Sequence, residues 1–301
     1  MKNRNFERRI IYFLLVLVIL VPIVSGVRLK PAPMKTANVT FEYIDSLGVK
    51  VSDTNPEIKR SETKPGAVVL ALDFGPGTAA ENKPQAKLVI EHLMRKRIPF
   101  VLTSIYVLAA PFLQQLPLEI AEALEAEMPG EKWVYGKDWV NIGFMPNGII
   151  SIQSLAKSKD WWGYLKFDVE GRSISELPIM QNIKSIHDIS TLVQITGLQG
   201  VFSAWLQFFQ IDGAVPVLIH GCTSITIPEA YNFFTSGQLR GFFEGIAGAA
   251  WYEQRLYQEY PDRKIDAAMV VNTGTSFAQL FVFGMVIFGN LLLLISVVKR
   301  P

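Results

Sequence analysis

Apolar and polar residues alternate along this chain at two scales. Long uninterrupted apolar runs stand near the two ends, and between them short apolar runs alternate with stretches of helical period. Val68–Leu72, Phe100–Ile105, Val140–Phe144, Leu192–Thr196 and Val215–His220 read as strands, and most are continuously apolar, the pattern of a strand buried on both faces. Helical patterns cover Pro84–Arg97, Leu118–Glu127, Gly148–Lys157, the stretch after Thr196 through Phe209, Pro228–Phe234 and Gly237–Tyr257. Strand and helix in alternation predict a Rossmann-like three-layer α/β domain with a mostly parallel sheet. The order of its strands is not legible. Upstream, "VTFEYI" (Val39–Ile44) reads as one further strand.

The terminal runs predict a membrane location. Ile10–Val24, "IIYFLLVLVILVPIV", follows Lys2, Arg4, Arg8 and Arg9 and carries no charge. It reads as a retained anchor, with a signal peptide cleaved near Val24-Ser25-Gly26 as the alternative. Phe277–Val298 is also free of charge and is followed by Lys299 and Arg300. A helix of that length spans a bilayer core at about 1.5 Å per residue. The basic flanks place both termini in the cytoplasm and the domain outside, although Arg28, Lys30 and Lys35 pull the other way. The expected location is a bacterial inner membrane with the domain extracytoplasmic. The expected organisation is an anchor over 1–26, a linker over 27–66, the α/β domain over 67–260, a linker over 261–275, a transmembrane helix over 276–298 and a basic tail over 299–301. "VKVSDTNPEIKRSETKPG" (Val49–Gly66) is the most loop-like part of the first linker.

Composition narrows the function classes. Half of the 301 residues are hydrophobic and the net charge is only +2, so no nucleic-acid partner is expected. The single cysteine, Cys222, excludes an intrachain disulfide and any multi-cysteine metal site. Three scattered histidines, His92, His187 and His220, make no zinc signature, and no G-x-S-x-G elbow or Walker-type lysine occurs. No cofactor or metal is expected.

In a sheet of this class ligands bind beyond the carboxyl ends of the strands. The candidates there are Asp73, Gly75, Gly77, Thr78, Ser104, Thr196, His220 and Thr223. "DFGPGT" satisfies the dinucleotide spacing formally, with Gly75, Gly77 and Ala80, but Pro76 removes an N–H and the predicted helix starts several residues later. A carboxylate that holds the turn together is the favoured role for Asp73, ahead of a ligand or metal contact. "HGCTS" (His220–Ser224) could pair a base with a thiol, but a buried cysteine and a satisfied histidine explain it as well. Asp168 and Glu170 read as part of a solvated strand or turn.

Other residues point to contacts. Gly237, Gly241, Gly245 and Ala249 recur every four residues, which on a helix makes a small-residue strip for the domain's own sheet or for another subunit. Trp161 and Trp162 stand beside lysines, as a core cluster or an interface anchor. Asn290 lies in the second apolar run and either bonds its own helix or joins another.

"DFGPGTAAENKPQ" and "SGQLRGFFEGIAGAAWYE" resemble segments of membrane-anchored bacterial proteins of uncharacterised function, a likeness that covers the central domain and implies no activity. At the level of fold, a tethered Rossmann-like domain is similar to auxiliary domains of transport and gliding assemblies. The expected function is a membrane-anchored, non-enzymatic subunit of a membrane or envelope assembly. Its partners would be other membrane-protein subunits or a second copy. The alternatives are a ligand-binding or sensing domain, or a hydrolase or transferase, at the strand-end cleft near Asp73 and His220.

Overall fold

The computed structural model describes residues 2–48 and 66–298. Most of the loop-like stretch 49–66 and the basic tail 299–301 lie outside the described residues. Six strands form one parallel sheet: β1 (Ala67–Asp73), β2 (Phe100–Ser104), β3 (Trp139–Phe144), β4 (Ile189–Thr196), β5 (Val217–Cys222) and β6 (Gly241–Glu244). Their order is β3-β2-β1-β4-β5-β6, so the direction of winding reverses between β1 and β4. Helices are α1 (Lys2–Val24), α2 (Lys35–Leu47), α3 (Ala79–Arg95), α4 (Ala110–Glu127), α5 (Ile149–Lys157), α6 (Trp161–Leu165), α7 (Val201–Phe208), α8 (Ile227–Thr235), α9 (Gly245–Glu259) and α10 (Ala268–Val298).

The strands are apolar throughout because the sheet is covered on both faces. All seven residues of β1 are buried. Val68, Leu70 and Leu72 join the core formed with α2, α3, α4, α9 and the start of α10. Ala67, Val69 and Ala71 join the opposite core, with α5, α6, α7 and α8. Val169 donates its N–H to the Asn141 carbonyl on β3, and α2 lies over β6.

Three expectations are corrected. "VTFEYI" is helical, within α2. Its buried positions, Thr36, Ala37, Thr40, Phe41 and Ile44, follow a helical period, but two of them are threonines, so the apolar pattern alone reads as alternation. Helix α3 begins at Ala79, directly after the glycine turn, and Pro84 lies inside it. Only the exposed Ala80 carbonyl loses its partner there. The glycine strip is not on one helix. Gly237 sits in a turn with φ +78, Gly241 opens β6 and Gly245 starts α9 with φ +59. A Cβ on Gly241 would lie 2.5 Å from the Thr40 hydroxyl and 3.0 Å from its backbone nitrogen, so glycine admits α2 against β6. Ala249 is buried in the core of α9.

Among the described residues one stretch, Ala268–Leu291 of α10, is long and apolar enough to cross a membrane. It starts inside the stretch read as the second linker. The expected second span is not shown, because α1 is charged through Arg9 and its apolar part, Ile10–Val24, reaches only about 22 Å of a core of about 30 Å. Helix α1 packs along α10, with Ile19 and Ile23 over Gly274.

Buried ions join α10 to the domain. Arg263 donates from Nε and Nη2 to Glu91, at 2.7 Å each, and from Nη1 to Glu253 at 3.0 Å, with all three side chains fully buried. Glu253 also accepts the N–H groups of Ala267, Ala268 and Met269, a carboxylate at the positive end of the α10 dipole. Burial without these partners would cost several kcal/mol per ion.

Candidate functional site

The reversal between β1 and β4 marks the place where ligands bind in open α/β sheets. Asp73, the last residue of β1, occupies it and is fully buried. Its Oδ1 accepts Ser104 Oγ at 2.8 Å and Ile105 N–H at 2.7 Å. Its Oδ2 accepts Gln194 Nε2 at 3.0 Å and Trp205 Nε1 at 2.6 Å. Burial pushes the Asp73 carboxyl above the usual carboxylate range, against the pull of these donors. The carboxylate thereby joins β1, β2, β4 and α7, and all four donors are the protein's own. Thr196 donates to the Asp73 carbonyl at 2.7 Å and secures the same junction.

The turn after β1 is packed as tightly. A Cβ on Gly75 would lie 3.0 Å from Tyr106 and from Leu108, so glycine lets two strand-end loops meet. Gly77 faces open space. A Cβ on Gly197 would lie within 2.7 Å of the methyl groups of both Thr78 and Thr223, so the loops after β1, β4 and β5 close over the crevice. Thr78 Oγ1 and Asn82 Oδ1 are buried without a partner beneath them. With α3 starting at Ala79, the distance to the helix no longer argues against a dinucleotide loop. Two other features do. Pro76 lacks an N–H, and the end of β2, where a ribose-binding acid would stand, carries Ser104 and Ile105.

His220 and Cys222 share a strand but make no dyad. His220 Nδ1 lies 3.0 Å from the Gln194 carbonyl and its ring stacks on Phe202 with centroids 4.0 Å apart. Burial pushes its pKa down to about 4. Cys222 donates its S–H to the Phe243 carbonyl, and burial raises the thiol to about 12. A neutral imidazole and a protonated thiol, each with its own backbone partner, provide no nucleophile.

Two polar connectors on α3 tie it to the loops beyond β5, Glu81 with its oxygens at the strand end and Gln85, which the sequence did not single out. Glu81 accepts both the N–H and the hydroxyl of Ser224, at 2.9 and 2.6 Å. Gln85 donates to the carbonyls of Cys222 and Gly245. The capping position of Glu81, one turn into α3, was the available signal. His92 bridges Tyr252 and Asp45, holding Asp45 down at about 2, and stacks on Phe41. Among the described residues no group of three or more His, Cys, Asp or Glu side chains could hold a metal.

The contact candidates are partly absorbed as well. Trp161 is fully buried and donates to the Leu155 carbonyl, while Trp162 donates to Met180. These are core and turn roles. Asn290 donates to the Val286 carbonyl of its own helix at 2.8 Å. Asp168 organises a turn through the N–H groups of Glu170 and Arg172.

The loops that follow β1 to β5 on this edge expose aliphatic residues beside the uncharged polar Asn147, Gln199 and Ser224. The connections after β1 to β5, residues 74–78, 105–109, 145–148, 197–200 and 223–226, contain no Asp, Glu, Lys or Arg. Val107, Leu108, Ile149 and Ile150 are exposed there, and Ile225 is 83 % exposed. Comparisons with protein-family models, with curated proteins and with solved structures find no match to this chain.

Proposed function

We propose that this chain is a membrane-anchored, non-enzymatic subunit of a larger membrane or envelope assembly and presents the carboxyl edge of its sheet to a protein partner. The observation that carries the reading is the uncharged rim built from five separate loops. Aliphatic side chains stand exposed on it, while the Asp73 carboxylate, the His220 ring and the Cys222 thiol beneath it are engaged within the fold. Exposed apolar patches of this kind mark contact sites, and depletion of charge is characteristic of the centre of a protein interface. In this reading α10 anchors the chain in a bacterial inner membrane and α1 packs along it. The buried Arg263 cluster makes anchor and domain one body, so the rim is held at a fixed place relative to the bilayer.

The test is native mass spectrometry of the full-length chain released from its own membranes, repeated for Val107→Asp and Ile225→Asp. The expected result is a mass above one chain that both variants lose with unchanged melting temperature. A single chain throughout, or variants that keep the full complex, would sink the reading. A second reading, a small-ligand site at the β1/β4 crevice, is favoured by the unpartnered Thr78 Oγ1 and Asn82 Oδ1. A small molecule retained on a lone chain would move the weight to it.

A further inference from the structure

The opposite, amino-terminal edge of the sheet carries a cavity that the proposed function does not use. It measures about 340 Å³ and lies between the starts of β4 and β5, the end of α7 and the turn after α8. This is within the size range of small-molecule sites. Leu206, Val215 and Val217 form its accessible apolar wall over the buried Leu192, Trp205, Phe209 and Leu218, with Arg240 among the polar residues at the cavity. Among the described residues no acidic side chain lines it. Arg240 is exposed, and among the described residues its guanidinium meets no carboxylate and donates no hydrogen bond. Its nearest ring is Tyr43, with the centroid 5.9 Å away.

We propose that this cavity binds a small amphipathic anion, an aliphatic or aromatic chain ending in a carboxylate. The chain fills the apolar wall and the carboxylate pairs with Arg240. An apolar cavity selects by shape and dehydration, and a planar guanidinium with free donors matches a carboxylate through two parallel hydrogen bonds. A cationic head would be repelled by Arg240 and a neutral acceptor would gain a weaker hydrogen bond than a carboxylate, so the site discriminates by charge as well as by length. Trp205 lies buried beneath the cavity, and its indole N–H donates to Asp73 at the far edge.

The test uses the full chain in nanodiscs of zwitterionic lipid and 4-(4-fluorophenyl)butyrate as the probe, read by 19F NMR. The expected result is saturable binding by the folded chain. Arg240→Gln should weaken it about tenfold, the effect of losing about 1.4 kcal/mol. Leu206→Trp, which fills the cavity, should abolish it with the melting temperature retained, and empty nanodiscs should give no saturable signal. The amine analogue, 4-(4-fluorophenyl)butylamine, should not bind. Absence of saturable binding to the wild-type chain overturns the proposal. So does equal affinity of the Arg240→Gln variant, equal affinity for the amine, or binding that survives in a folded Leu206→Trp variant.

Discussion

His220 offers a quantitative way to separate a structural histidine from a catalytic one. Lowering the pH protonates it readily in the unfolded chain, where the ordinary value is 6.5, but only near pH 4 in the folded chain. The folded value is depressed, so the neutral ring stabilises the fold above pH 6.5 and that contribution is lost as the pH falls towards 4. A shift of this size is worth about 3 kcal/mol in full, and about 2 kcal/mol of it disappears between pH 7 and pH 5. The physical cause is burial of the ring, which is stacked on Phe202, against the opposing pull of its bond to the Gln194 carbonyl. The assay is urea unfolding of the full chain in detergent, followed by tryptophan fluorescence at several pH values, for wild type and His220→Phe. The variant loses the bond to Gln194 at every pH, so its stability is lower by a constant. Its slope between pH 7 and pH 5 should be shallower by about 2 kcal/mol over the interval. His92, also lowered by burial, contributes in the same direction to both proteins and cancels. Equal slopes, or a His220 ring that titrates near pH 6.5 by NMR in the folded chain, would refute the structural reading and reopen a chemical one.

Other perturbations follow from the same contacts. Asp73→Ala leaves four donors without an acceptor, each costing about 1–3 kcal/mol. The expected outcome is a chain that folds marginally or not at all, while an equal melting temperature would show that the clamp is dispensable. Arg263→Met removes the cation shared by the buried Glu91 and Glu253, leaving Glu91 with Arg95 and Glu253 with three backbone N–H groups, and should cost about 3–5 kcal/mol. Hydrogen exchange should then rise at Ala267–Met269, and unchanged exchange there would dissociate the ion cluster from the docking of α10. Gly241→Ala should push α2 off β6 and cost about 1–3 kcal/mol, visible as faster exchange across Lys35–Leu47; a stable variant with α2 protected would contradict the close approach. Cys222 should resist iodoacetamide in the native chain at pH 8, because its thiol is buried and shifted to about 12, and rapid alkylation would place it at an accessible surface instead.

The parallel α/β class and five of the six strands were legible because a strand buried on both faces has to be apolar along its whole length. Those strands were found within a few residues, as was α5. The apolar run of α10 was equally plain, since a spanning stretch advertises itself by composition. Strand β6 and helix α2 were misread together and for one reason. Gly241 is small because α2 crosses it, and Thr36 and Thr40 are buried because they face β6. Each makes sense only once the other is in place. The same holds at the candidate site. The chain displayed Asp73 at a strand end beside a glycine turn, and that was enough to mark the position. Whether its carboxylate faced a ligand or the fold depended on Ser104, Gln194 and Trp205, up to 132 residues away in sequence. Periodicity and composition report what an element does along its own length, which is why the class, the apolar run of α10 and the strand ends came from the sequence by itself. Side-chain saturation, close backbone approach and the uncharged rim arise between elements distant in the chain, and only the tertiary structure decided them.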